Sequence, residues 1–427
     1  MKISKLHINQ FRHLENLDFD FTYPEDFHIE EKRGKPLDKI CFIGQSATGK
    51  TGLLELINSV IDAFFDLRII NDHEIIDMGV FAPYNIELNF EANSTQYKQE
   101  KASIEIDNKK YTFFEKSYSG GGRDVLDFKN KIYHITPDIL SNQNLKIFEE
   151  ETILLTERYK SLKEKLKDHL NTRLTFDDRV EESIWVSLLE VNINFLQNFL
   201  QFATELINSG SVLDNSSQKK VDEWRKRNSN PLIDFSEKFN IILDKIQLEV
   251  DIANTKNIIP LKHKITGENI PVKKISTGTK QLLLTSLPLF KLETKDSVIL
   301  IDEPERSLYP DMQMDLMDFY QNLAPEAQFI IATHSPFIAA SFEPEERFIL
   351  YFDEEGKVAA RRGTSPIGDD PNDMLYNDFG IDYINKYGKK AYNEYLEKRR
   401  QMLFEENDEV KQKLQDEIES IGDKYNF

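Results

Sequence analysis

Short alternating stretches open the chain. Ile3, Leu6 and Ile8, then Leu14, Leu17, Phe19 and Phe21, predict two strands around a turn near Phe11-Arg12-His13. The segment Tyr23 to Leu37 is charged and contains proline, which reads as a surface loop. Lys39 to Ile43 is apolar enough for a short buried strand. Lys50 to Phe65 then turns helical, with Leu53, Leu54, Ile57 and Ile61 on one face. Alternation returns at Ile86, Leu88 and Phe90 and at Ile104 and Ile106, predicting an antiparallel meander, and Gly120-Gly121-Gly122 marks a turn.

From about Glu149 the pattern becomes long, charge-rich helices. LLTERYKSLKEKLKDHL is amphipathic, and ESIWVSLLEVNINFLQNFLQFATELI is apolar enough to be buried. Residues 208–231 are rich in Ser, Asn and Lys and read as a flexible linker, after which Leu232 to about Val250 is helical again. An α/β pattern resumes near Asn257, and the residues after Asn377 form a helical, acidic tail. The expected organisation is an N-terminal lobe (1–148), a helical insertion (149–256), a C-terminal lobe (257–376) and the tail (377–427).

Composition narrows the class. The 427 residues carry a net charge of -20, which repels phosphate backbones at long range without excluding a local basic groove. Cys41 is the single cysteine, so no internal disulfide forms and a reducing, cytoplasmic setting is expected. No apolar run reaches the ~18 residues of a membrane span, and the N-terminus lacks a signal-peptide core.

Four motifs carry chemistry. Gly44-Gln45-Ser46-Ala47-Thr48-Gly49-Lys50-Thr51 fits G-x-x-x-x-G-K-[ST] between a strand and a helix, the context of a phosphate-binding loop. Its N–H groups would converge on phosphates, Lys50 would reach the β- and γ-phosphates, and Thr51 would ligate Mg²⁺. Val298 to Ile301 is a buried strand delivering Asp302 and Glu303 to the sheet edge where ligands bind. There Asp302 suits the metal and Glu303 the attacking water. Phe329 to Ala332 is a second such strand, ending at Thr333-His334-Ser335. Ile275-Ser276-Thr277-Gly278 opens an apolar helix; alone it reads as an N-cap, and its other reading is a second anion site through Ser276 and Gly278.

In this order the motifs resemble an ABC-type ATPase of the RecF/SMC/Rad50 and overcoming-lysogenisation-defect class, with Walker A at 44–51, the signature at Ser276-Thr277-Gly278, Walker B at Asp302-Glu303 and the switch at His334. Glu303-Pro304-Glu305-Arg306-Ser307-Leu308-Tyr309-Pro310 is similar to the D-loop of these proteins, with Tyr309 in place of a histidine. The resemblance implies an ABC-type P-loop head, with a mixed sheet plus an antiparallel meander, a helical insertion and a helical tail. It implies ATP and Mg²⁺, catalysis by Glu303 and His334, approach of Asn9 and Arg12 to the nucleotide, and a Q-loop glutamine, assigned to Gln143, at the metal. It further implies paired heads, each completing the other's site.

The class serves several functions, and the fold does not choose among them. Size and layout resemble the ATPase components of anti-phage systems such as Septu and PARIS, in which assembly controls a separate nuclease or toxin. The alternatives are a RecF-like clamp on duplex DNA, for which Lys219-Lys220, Arg225-Lys226-Arg227, Lys262-His263-Lys264 and Lys273-Lys274 are the basic candidates, or an ATP-gated scaffold with little turnover. No membrane partner is expected.

Overall fold

A computed structural model describes residues 2–65, 87–89, 100–106, 109–114, 132–162, 173–209, 216–366, 371–381, 388–405 and 407–425. They fall into two compact units, Met1–Ile367 and Gly368–Phe427. In chain order the first unit begins with β1 (Ile3–Phe11), β2 (Leu14–Asp20), β3 (Lys39–Gly44) and α1 (Lys50–Phe65). β4 (Glu87–Asn89), β5 (Glu100–Ile106), β6 (Lys109–Phe114) and β7 (Ile132–Ile135) follow. Next come α2 (Asn142–Glu149), α3 (Thr152–Leu162), β8 (Arg173–Phe176), α4 (Glu182–Leu188), α5 (Glu190–Asn208), α6 (Ser216–Arg227) and α7 (Leu232–Leu243). β9 (Leu248–Val250), β10 (Leu261–His263) and β11 (Asn269–Ile270) form a small antiparallel sheet ahead of α8 (Thr277–Lys291). β12 (Val298–Asp302), α9 (Pro310–Met314), α10 (Leu316–Leu323), β13 (Gln328–Ala332), α11 (Pro336–Ala339), β14 (Arg347–Phe352) and β15 (Val358–Arg362) complete it.

The central sheet has the order β15-β14-β3-β13-β12-β7-β8, parallel except for β15. Its inner strands are fully buried, so their sequences are continuous apolar runs rather than alternations. A five-stranded antiparallel sheet, β2-β1-β5-β6-β4, sits over it. Here the alternating residues read from sequence find their use, because Phe19 of β2 and Phe21 just after it pack on Phe42 and Phe348 at centroid distances of 5.1 to 6.0 Å. Each such ring, fully buried, contributes roughly 1.5–3 kcal/mol. Leu53, Leu54, Leu56 and Ile57 of α1 join the same core, so one hydrophobic cluster spans both sheets.

Sequence-distant lobes are also joined by polar groups. Gln328 is fully buried; its Oε1 accepts from Ile3 N at 2.7 Å, and its Nε2 donates to Ile3 O at 3.0 Å and Leu37 O at 2.8 Å. Tyr23 donates to buried Glu346 at 2.7 Å, so the start of the expected surface loop is core.

Three expectations need correction. The expected linker 208–231 carries α6, because Trp224 gives that polar helix an aromatic anchor on Phe195, Phe199 and Phe202 of α5. The run to Val250 is not one helix; Gln247, at φ 57, turns the chain out of helical geometry and into β9. The apolar run from Glu182 to Ile207 divides into α4 and α5, and only the first turns of α5 are buried, with Ile207 66% exposed. Ile86, Phe90 and the glycine run at 120–122 lie outside the described residues.

The second unit comprises α12 (Pro371–Asn377), α13 (Lys389–Phe404) and α14 (Asp408–Tyr425). Lys398 of α13 pairs with Glu417 of α14 at 2.8 Å. Among the described residues no helix is long and apolar enough to cross a membrane.

Candidate functional site

The strand order brings three loops together. β3, β13 and β12 are consecutive and parallel, and their registers align Phe42 with Ala332 and Ala332 with Asp302. The loop after Gly44, the residues after Ala332 and the acids after Ile301 therefore leave one edge of the sheet side by side.

Backbone geometry at the first loop is restrictive. Gly44, at φ 145, lies so close to β14 that a Cβ would stand 2.1 Å from Leu350 O. Ala47 (φ 66) and Gly49 (φ 92) are in the left-handed region, and a Cβ on Gly49 would lie 2.8 Å from Leu14 and 3.1 Å from His13 Nε2. The β1–β2 turn thus leans on this loop. Lys50 is 6% exposed and donates to the carbonyls of Gly44 and Gln45, each at 2.9 Å. Burial lowers its pKa to about 8, while the carboxylates of Asp302, Glu303 and Glu305 oppose that shift. Thr48 Oγ1 donates to Gln45 O at 2.8 Å; Gln45 and Ser46 are exposed at the loop crest.

Asp302 ends β12, buried. Burial raises its pKa to about 6, and a hydrogen bond from the Thr51 hydroxyl opposes the rise. Glu303 takes φ 48, and its N–H donates to Ala332 O at 2.8 Å, which pins the turn to β13. Glu305 Oε1 accepts the His334 N–H at 3.0 Å, and burial raises the Glu305 pKa. The His334 ring is exposed; partial desolvation first and the Lys50 charge second lower its pKa, favouring neutral imidazole.

Ser276 caps α8, its hydroxyl oxygen accepting from Thr279 N at 3.1 Å. Gly278 packs on the turn after Glu303, where an added Cβ would meet Ser307 O at 2.4 Å. None of the described contacts joins Ser276 or Gly278 to the loop at 44–51. Arg12 (φ 56) pairs with Glu55 of α1 at 2.7 Å. Asn9 lies on β1, 2.7 Å from His7 Nε2. Gln143 is exposed in the first turn of α2, after β7, the neighbour of β12.

Glu305 and Glu55 were not singled out from sequence. Glu305 stood within a quoted motif, and nothing in the spacing announced that its carboxylate would hold the backbone at His334. Taken together, three carboxylates surround one ammonium. The site has a surplus of negative charge at its centre, beside the glycine-bounded loop at 44–51.

The chain is 24% identical over 129 residues to the retron Vc95 probable ATPase of Vibrio cholerae serotype O1 biovar El Tor, a match covering 30% of this chain and 25% of that protein's length. It is similar to the Smc head domain of Pyrococcus furiosus with an extended coiled coil bound to the C-terminal domain of ScpA (16% identity, 84% of this chain and 96% of that one, TM-score 0.40). It is also similar to the SMC head domain of Thermotoga maritima (12% identity, 86% and 100% covered, TM-score 0.36). A family model described as the AAA ATPase domain matches residues 1–339, most of the chain. The chain belongs to the AAA ATPase domain family.

Proposed function

We propose that this chain binds and hydrolyses ATP with magnesium, and that ATP-dependent pairing of two heads controls a separate effector protein, a nuclease or toxin, in anti-phage defence. The observation that carries the hydrolytic reading is the convergence of Lys50, Asp302-Glu303 and His334 at the ends of three adjacent parallel strands.

The loop 44–51 holds the β- and γ-phosphates through backbone N–H groups at the N-terminus of α1. Lys50, now satisfied by two carbonyls of its own loop, turns to the phosphate oxygens. Thr51, Asp302 and Gln143 would hold a magnesium ion, which would supply positive charge to offset that of the phosphates. The fit rests on Asp302, a buried carboxyl beside two further acids, whose ionised form a divalent cation favours. Glu303 orients the attacking water, and neutral His334 donates to the γ-phosphate or to that water. Asn9 approaches the nucleotide from β1 and Arg12 from the β1–β2 turn.

Gly278 packs against the turn at Ser307 and Leu308, and with Ser276 it is read as meeting the γ-phosphate of a second copy. The retron relative supports the defence setting. The clamp on DNA is less well supported, because three of its basic candidates are paired: Lys262 with Glu249, Lys264 with Asp244 and Lys273 with Glu149 at 2.7 to 3.2 Å.

The test is turnover and binding in two variants. Glu303→Gln is expected to slow hydrolysis at least ~100-fold with ATP affinity retained, and Lys50→Ala to abolish binding. Unchanged turnover in the first would remove Glu303 from its role. Retained affinity in the second would remove the phosphate loop. Co-purification from the native host, with and without ATP, then tests for the effector.

A further inference from the structure

The turn that follows Asp302 takes a shape its own residues do not favour. Glu303 (φ 48) and Ser307 (φ 63) are both left-handed and neither is glycine, and such backbone persists only where its surroundings fix it. At the start, Glu303 N–H donates to Ala332 O and the Glu305 carboxylate accepts the His334 N–H. The far end is held from α9. Gln313 Nε2 donates to Leu308 O at 2.8 Å, and Leu308 N–H donates to Glu305 O at 2.9 Å.

The other atom of the same amide reaches the loop that carries His334. Gln313 Oε1 accepts from the Ser335 hydroxyl at 2.6 Å, while Ser335 Oγ accepts the N–H groups of Phe337 and Ile338 at 3.1 and 3.2 Å. Ser335 N–H donates to Thr333 Oγ1 at 2.9 Å, and the Thr333 hydroxyl donates to the Glu305 carboxylate. The path closes on itself, from Glu305 through Leu308, Gln313, Ser335 and Thr333 back to Glu305. The amide has one orientation that serves, since a flipped Gln313 would set its oxygen against Leu308 O, two acceptors face to face. His334 lies on this ring between Thr333 and Ser335, its side chain exposed and both its chain neighbours held.

We propose that Gln313 is a positioning residue for His334, one amide tying the turn 303–308 to the loop 333–335 so that the two hold or move together. Partners in such a closed network support one another, and removing one member loosens the rest. Gly278 packs on Ser307 of the same turn, so a displacement at the start of α8 has a hydrogen-bonded route to His334. The effect on turnover rests on the ATPase reading above; the mechanical tie between turn and loop does not.

The test therefore has one measurement without nucleotide and one with it. Gln313 is half-buried, and Gln313→Met keeps its bulk while removing both hydrogen bonds. In the nucleotide-free full chain, amide hydrogen exchange read by mass spectrometry should quicken about tenfold or more at both 303–308 and 333–338. With ATP and magnesium, kcat should fall about fivefold or more while KM stays within about twofold of the parent. Placed in a His334→Ala chain, the same substitution should change kcat by less than about twofold, because Gln313 acts through that histidine. Gln313→Glu sets a carboxylate oxygen against Leu308 O and should act in the same direction, which keeps the test decisive where Gln313→Met lowers the melting temperature too far to use. Unchanged exchange at 333–338 would overturn the proposal, as would parental kcat in the loosened variant or a full further loss of kcat on top of His334→Ala. A parent chain that hydrolyses no ATP would sink the ATPase reading instead, and the exchange measurement would still decide whether Gln313 ties the two loops.

Discussion

Gly278 is demanded by contact rather than by backbone conformation, since an added Cβ would lie 2.4 Å from Ser307 O and 2.9 Å from Leu308. Gly278→Ala is therefore expected to push apart the start of α8 and the turn after Glu303, lowering ATP turnover by about tenfold or more with a loss of about 1–3 kcal/mol in stability. Turnover and melting temperature unchanged from the parent would show that the turn yields freely. His134, in β7, makes the pH dependence concrete. It is 5% exposed, burial lowers its pKa to about 4 from 6.5, and Nε2 has no partner among the described residues. The folded state therefore binds fewer protons than the unfolded one in this interval. The stability this group confers is complete above pH 6.5 and declines as pH falls toward 4, by up to about 3 kcal/mol. His134→Leu should flatten that part of the stability profile, as measured by denaturant unfolding at pH 7.5 and 4.5. Parallel profiles for the two chains would contradict it. Lys50, Asp302, Glu303 and His334 were legible in the sequence because their motifs carry fixed spacings. Glu305 as the holder of the His334 backbone, and Glu55 as the partner of Arg12, were not, because both contacts depend on tertiary approach.

Elements with strong periodicity were read closely. The helix expected over Lys50 to Phe65 is α1, and the apolar runs at Lys39, Val298 and Phe329 are β3, β12 and β13. What no local pattern supplies is their order. β3 pairs with β13 across nearly 300 residues of chain, and that pairing places Lys50 opposite the acids. The failures have physical causes too. Residues 216–227 look like a polar linker until Trp224 meets three phenylalanines of α5. Gln328 belongs to the same lesson, a glutamine beginning an apolar strand whose function is to close the gap between β1 and β13. Gln328→Leu would leave Ile3 N unpaired and remove donors from Ile3 O and Leu37 O. A loss of about 2–4 kcal/mol is expected in chemical denaturation. A loss below about 0.5 kcal/mol would show that water replaces the side chain without cost.

At the scale of the whole molecule, two sheets and α1 share one core that fixes the site, while Gly278 sits against its own chain's turn, and none of the described contacts joins it or Ser276 to the loop at 44–51. On the proposed reading, the acids and loop come from one chain and the second anion contact from another, so the site is complete only in a pair. The -20 charge works against that pairing unless nucleotide and metal bridge the heads, so assembly should depend on ATP and strengthen with salt through screening. The most direct test is the mass of the Glu303→Gln chain by light scattering with magnesium, with and without ATP. ATP should double the mass from the 49.9 kDa of the single chain, and the doubling should disappear in Lys50→Ala. A mass that stays the same with and without ATP, at concentrations that saturate binding, would contradict the account.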